Sequence, residues 1–234
     1  MLDLESLRGG LVVSCQAFPY EPLYGGDTMV KLAMAAEQGG ACAIRANGPD
    51  IIRAIKEKVS VPVFGIYKLL PEHYDKMHDV IITPTIDSAK AIIEAGADII
   101  AVDCTLREGR TKQDILDLIH SYQKITDIPI MGEVSNLEEG LIVEEAGCQI
   151  VSTTIAGYTD YSRHIDEPDY ELVKELAQNT KLYVNAEGRF STPQQVKKAL
   201  ECGAWTVTVG SAITRPKVIT EHFIEVIKGN DNEK

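Results

Sequence analysis

The chain has 234 residues, 44% of them hydrophobic and 25% charged, and its five scattered cysteines include no Cys-x-x-Cys pair. That is ordinary usage for one globular core, with neither a disulfide framework nor a zinc site expected. The formal charge of -12, from 23 Lys+Arg against 35 Asp+Glu, argues against nucleic acid and anionic membrane surfaces as partners, because both need a basic face.

The first residues (MLDLESLRGG) lack the cationic flank and long apolar stretch of a signal peptide or anchor, so the cytoplasm is the expected compartment. Beyond them, short apolar runs alternate with amphipathic stretches. Runs at 11–14, 43–46, 63–67, 80–82, 99–103, 128–134, 149–153, 182–186 and 205–210 read as strands. Segments 28–38, 50–58, 88–94, 112–124, 137–145, 169–178, 193–201 and 216–228 read as helices. One strand is surplus. The polar stretch PEHYDKMHD before Val80 has no apolar stripe, which assigns 80–82 to a long excursion after the third strand. Eight strand–helix units remain, the count of a single (β/α)8 TIM barrel in the α/β class. A doubly wound open sheet is the runner-up. The echoes EQGGACAI, EAGADIIAV, EAGCQIVS and ECGAWTVTV each end a helix on glycine before a strand, as a left-handed turn requires. One domain spans 1–234, with the tail 229–234 (GNDNEK) expected to fray.

In a barrel the catalytic groups lie at the carboxyl ends of the strands. Gln16, Arg45, Lys68, Asp103, Glu133, Thr153, Thr154 and Glu187 fall there in chain order. Each has a bland alternative as rim decoration or a local cap. Gly188, Gly210 and Ser211 can expose backbone N–H groups to an anion after the last two strands, and Arg215 adds a planar fork suited to phosphate oxygens. Walker, G-x-G-x-x-G, H-E-x-x-H and G-x-S-x-G motifs are absent, and the five histidines are dispersed, so no metal and no cofactor is expected.

Taken together, GGLVVSCQA, AIRAN, GIYK, ITPT, DCT, TT with GYT, AEGR and VGSAITRP resemble the N-acylglucosamine-6-phosphate 2-epimerase family from about Leu7 to Ile227. The resemblance implies an isomerase that interconverts N-acetylmannosamine 6-phosphate and N-acetylglucosamine 6-phosphate in bacterial sialic acid breakdown, without nucleotide or metal. It implies Lys68 and Glu187 as the catalytic groups, with Gln16, Arg45 and the GSAITRP loop lining the substrate and phosphate pocket. A homodimer is a further implication. Two departures stand out: Met131-Gly132-Glu133 replaces a common Met-Ala-Asp, and Ser211 stands where the family often has glycine.

The chemistry has its own logic. Inverting C2 of an N-acylated sugar needs a proton removed from carbon, which is acidic only beside the aldehyde of the opened ring. A base, a group stabilising the enolate oxygen, and a proton return on the other face are then required. Lys68 must have a lowered pKa to serve, which burial and nearby Arg45 would promote. A strand-end lysine could instead form a Schiff base in a lyase, and a non-catalytic sugar-phosphate sensor is the third possibility.

Overall fold

A computed structural model describes the protein over residues 2–229, so 230–234 of the tail expected to fray lie outside the described residues. Strands β1 (Gly10–Cys15), β2 (Ala43–Asn47), β3 (Val63–Ile66), β4 (Ile99–Asp103), β5 (Ile130–Glu133), β6 (Ile150–Ser152), β7 (Tyr183–Glu187) and β8 (Thr206–Val209) pair in parallel and in sequence order. β8 returns to β1 with Leu11 opposite Val207, which closes the barrel. Helices α1 (Gly26–Gln38), α2 (Pro49–Lys56), α3 (Ile86–Glu94), α4 (Lys112–Gln123), α5 (Leu137–Glu145), α6 (Tyr170–Asn179) and α7 (Pro193–Glu201) follow β1 to β7 in turn; α8 (Ser211–Thr214) and α9 (Pro216–Ile227) follow β8.

Local sequence explains the helix ends. Thr85, Thr111 and Thr192 each accept the N3 backbone N–H of the following helix, and Ser88, Asp114 and Gln195 reach back to complete capping boxes. Gly40, Gly96, Gly147 and Gly203, the glycines of the four echoes, have φ of 94°, 93°, 79° and 105°. That left-handed backbone is what glycine adopts without a Cβ penalty.

The two-residue period of the strands sorts side chains into two cores. Val13, Ile44, Ile100, Val151 and Val207 face the helices, with Ile52, Ile92, Ile115 and Leu176 packed on them. Val12, Phe64, Ile66, Ile99, Met131 and Ile150 fill the barrel, and Trp205 closes its lower end, its Nε1–H donating to Leu4 O at 2.9 Å. Leu4 and Leu7 lie on a short 3-10 helix, Leu4–Leu7, for which the sequence pattern carries no signal. At Gly132 an added Cβ would come within 2.5 Å of Val143, so the departure from alanine there matches a tight contact between β5 and α5.

The surplus run at 80–82 is not a barrel strand: Ile82 makes an isolated antiparallel bridge with Lys68, and Leu69 N–H donates to Ile81 O at 3.0 Å. The excursion 69–79 thus returns to the barrel rim beside Lys68. The five cysteines are unpaired, and burial pushes the Cys15 and Cys148 thiols up to about 12, which makes them inert packing groups. α9 stands apart from the other helices. None of its residues is buried, and Phe223 and Ile227 are 64% and 77% exposed. No helix of the described residues is long and apolar enough to cross a membrane.

Candidate active site

The same alternation that fills the barrel with apolar groups puts polar groups in its upper layer. Arg45, Glu133, Asn185 and Glu187 continue the inward-facing rows of β2, β5 and β7. Asn185 Oδ1 accepts from Thr206 and Thr208 at 2.9 and 2.8 Å, and its Nδ2 donates to Ser152 Oγ at 2.8 Å, which forms a satisfied polar floor. Above it lies a cavity of about 350 Å³ at the carboxyl ends of the strands.

Lys68 lies just past the end of β3, on the side of the barrel opposite β7 and Glu187. Its backbone N–H donates to Asn47 Oδ1 at 2.9 Å, and its ammonium sits 5.3 Å from the centroid of the Phe18 ring. Burial lowers its pKa to about 8, and the Arg45 charge adds to the effect. A substantial share of Lys68 is therefore neutral near pH 8 and able to accept a proton.

Arg45 ties this polar layer together. Its Nη1 donates to Glu187 Oε1 at 2.9 Å, and its Nη2 donates to Glu133 Oε1. Burial works against its charge, but the two carboxylates outweigh burial and raise its pKa. Glu133 is fully buried, with Oε2 unpartnered. Burial pushes its pKa up to about 7, and Arg45 only partly offsets that. Thr154 Oγ1 donates to Glu187 Oε2 at 3.3 Å, so both oxygens of Glu187 are held.

Of the residues expected at the mouth, Gln16, Arg45, Lys68, Thr154, Glu187, Gly188, Gly210, Ser211 and Arg215 line this cavity. Three stand elsewhere. Asp103 is fully buried below the rim; Arg107 donates to its Oδ2, and Arg110 Nη2 donates to its Oδ1 at 2.8 Å. Its carboxylate braces the loop after β4 and has no free face for a ligand. Thr153 is one residue out of phase: its hydroxyl donates to Glu187 O at 2.9 Å and accepts the Glu187 N–H at 3.0 Å, which fixes the end of β7. Glu133 lies behind the cavity wall, where it accepts from Arg45 and its charge also bears on Lys68.

Arg215 reaches the cavity, but its Nε and Nη2 donate to Glu21 Oε1, and Glu21 Oε2 accepts the Phe18 N–H at 2.8 Å. Glu21 and Phe18 were missed because the loop after β1 carries no periodicity and only tertiary pairing reveals them. Lys76, Tyr158 and Arg189 were missed likewise. The Tyr158 ring has the Lys76 ammonium 3.8 Å and the Arg189 guanidinium 4.3 Å from its centroid. Arg107 Nη1 donates to Lys76 O at 3.0 Å, so the excursion 69–79 is fastened near the loop after β6 at the cavity mouth. Among the described residues, no group of three or more His, Cys, Asp or Glu is placed to hold a metal ion.

Residues 29–229 match the family described as "Putative N-acetylmannosamine-6-phosphate epimerase". A relative from Caldanaerobacter subterraneus subsp. tengcongensis, described as "Putative N-acetylmannosamine-6-phosphate 2-epimerase", is 46% identical over 228 residues, covering 96% of this chain and 94% of its own. A protein of the same description from Clostridium perfringens strain SM101 is 42% identical over 231 residues, covering 97% of this chain and 100% of its own. The solved structure of an N-acetylmannosamine-6-phosphate 2-epimerase from Clostridium perfringens superposes with a TM-score of 0.85 at 41% identity, covering 95% of each chain. A (S)-3-O-geranylgeranylglyceryl phosphate synthase from Thermoplasma acidophilum, at 16% identity and a TM-score of 0.55, shares the fold alone. With its barrel closed in sequence order and matches of this extent, the chain belongs to the N-acetylmannosamine-6-phosphate epimerase family.

Proposed function

We propose that the protein interconverts N-acetylmannosamine 6-phosphate and N-acetylglucosamine 6-phosphate by proton removal and return at C2, in the cytoplasm. The observation that carries this reading is a buried lysine of lowered pKa, Lys68, lining the same cavity as Glu187 from the opposite side of the barrel. Ring opening gives an aldehyde at C1, and neutral Lys68 then takes the C2 proton from one epimer. The bonding pair moves into C1–C2, and the carbonyl oxygen becomes an enolate in the field of the permanently charged Arg45. A proton returns to the opposite face from the protonated carboxyl form of Glu187, which leaves Lys68 as ammonium and Glu187 as carboxylate; in the reverse direction that carboxylate takes the C2 proton and the Lys68 ammonium returns one.

Phosphate binding by the N–H groups of Gly188, Gly210 and Ser211 with Arg215 suits the loops that barrels of this type use for phosphoryl groups. Asp103 and Thr153 have supporting roles in this scheme and do not touch the sugar. Glu133 acts by holding Arg45 and by its charge on Lys68.

Solvent exchange in deuterated water tests the assignment. The native enzyme is expected to wash deuterium into C2 of N-acetylmannosamine 6-phosphate, as read by proton resonance. Full exchange by Lys68→Ala would remove that residue from the mechanism. Borohydride trapping of substrate on Lys68 would point to the Schiff-base lyase instead.

A homodimer is part of the same reading. Val218, Phe223, Ile224, Val226 and Ile227 leave a mainly apolar side of α9 in solvent, which a second copy would cover. Light scattering should give twice the chain mass, and Phe223→Glu should shift it toward monomer.

A further inference from the structure

The carboxylate of Glu21 bridges two parts of the cavity that the sequence keeps far apart. Glu21 lies in the loop after β1, and Arg215 stands between α8 and α9, 194 residues further on. Glu21 Oε1 accepts from Arg215 Nε at 3.0 Å and from Nη2, and Glu21 Oε2 accepts the Phe18 N–H at 2.8 Å. The Glu21 N–H in turn donates to Phe18 O at 2.9 Å, so backbone and side chain together close residues 18–21 into one turn. That turn carries the Phe18 ring, stacked on Tyr20 at a centroid distance of 5.5 Å and set 5.3 Å from the Lys68 ammonium. One carboxylate thus joins the guanidinium at the phosphate loops to the aromatic ring beside the base.

A carboxylate is an unfavourable neighbour for an anion. Glu21 and Arg215 both line the cavity, and the Glu21 side chain is only 10% exposed, so its charge is poorly screened close to where the phosphoryl group would sit. Pairing with Glu21 therefore lowers the affinity of Arg215 for phosphate. It does not exhaust the donors: the two bonds occupy Nε and one N–H of Nη2, and a guanidinium has five N–H groups. The Nη1 edge can take phosphoryl oxygens while the opposite edge stays on Glu21. An arrangement that gives up affinity and fixes a geometry suits binding energy that is used in the chemical step.

We propose that Glu21 is a positioning residue that couples the grip of Arg215 on the phosphoryl group to Phe18 and, through its ring, to Lys68. The inference rests on the epimerase reading and the phosphate site named there, and it adds a second use for the phosphoryl group, in proton transfer as well as in affinity. Phosphoryl oxygens on the Nη1 edge fix Arg215 from both sides, and Glu21 holds the 18–21 turn to it. The ring is then kept against Lys68, and its π face favours the ammonium that forms as Lys68 takes the C2 proton.

The test divides the substrate into two pieces. Exchange of the C2 proton of unphosphorylated N-acetylmannosamine in deuterated water is followed by proton resonance with the full chain, with and without inorganic phosphite. In the native enzyme phosphite should raise the exchange rate by roughly 10–100-fold, since a misplacement of about 1 Å can cost about 10²-fold. Glu21→Gln offers one acceptor oxygen where the bridge uses two, and it should lose most of that activation. On N-acetylmannosamine 6-phosphate it should lower kcat by a similar factor with KM unchanged or lower, because Arg215 keeps its full charge; a merely structural lesion of the phosphate site would raise KM instead. Phe18→Ala retains the backbone N–H on Glu21 and removes only the ring, and it should lose the activation too. Circular dichroism checks the fold of both variants. No phosphite activation in the native enzyme, or full activation in either folded variant, overturns the coupling and leaves the epimerase reading intact. No turnover of N-acetylmannosamine 6-phosphate by the native enzyme overturns both.

Discussion

Arg45 and Glu187 lie 142 residues apart in sequence, yet Arg45 Nη1 donates to Glu187 Oε1 at 2.9 Å across the mouth of the barrel. The contact fixes the carboxylate with a buried cation that also bears on Lys68. From it follow the acid–base predictions.

Lys68→Ala and Glu187→Gln should each lower kcat for epimerisation by roughly 10²–10⁴-fold, the usual contribution of a positioned proton donor or acceptor. Proton-resonance progress curves check this, and native-like rates in Glu187→Gln would assign its role elsewhere.

The pH profile follows from the lowered pKa of Lys68, about 8. Its neutral form grows as pH rises, so the limb of kcat/KM that reports Lys68 as the base should rise with pH toward about 8. Arg45→Gln removes a cation that depresses this pKa and leaves the Glu133 and Glu187 charges that raise it. The rising limb should move to higher pH; a limb that stays in place would show that Lys68 is not the titrating group.

Glu133 gives a stability signature. Burial raises its pKa to about 7 in the folded protein, from an ordinary value of 4.5. Its contribution to stability is complete below the unfolded pKa and is lost as pH rises through the folded one. Melting temperature should therefore fall between pH 5 and 8 more steeply in the native protein than in Glu133→Gln. Parallel curves from calorimetry would contradict the assignment.

Asp103→Ala should behave as a structural lesion. It strips the carboxylate from two largely buried guanidiniums, Arg107 and Arg110. Breaking a buried ion pair from one side costs about 3–5 kcal/mol, which urea unfolding can read. A large rise in KM with unchanged stability would instead return Asp103 to the substrate.

His78 links two loops at the cavity mouth: Nδ1 lies 2.9 Å from Asp75 and Nε2 lies 2.8 Å from Asp160. Hydrogen bonds to both carboxylates raise its pKa. The charged clasp is present below that pKa and lost as pH rises through it. Amide exchange in 157–168 should accelerate with rising pH beyond its intrinsic base dependence in the native protein, and His78→Gln should abolish that excess.

Helix-to-strand glycines and apolar runs were legible because each is a local device with a fixed spacing. The eight barrel strands are recovered from the runs within a few residues, and the excursion is separated from them because PEHYDKMHD has no periodicity. The short helices Leu4–Leu7 and Ser211–Thr214 were not legible, since one turn holds too few residues to show a period.

What the sequence determined by itself was the barrel and the set of polar residues at its strand ends, because side-chain alternation and turn chemistry act over a few residues. What only the tertiary structure decided was the use of those residues. Lys68 became a group poised near pH 8, Asp103 a brace, and Arg215 a partner of Glu21, since burial and the approach of charges from distant strands arise only when the barrel closes.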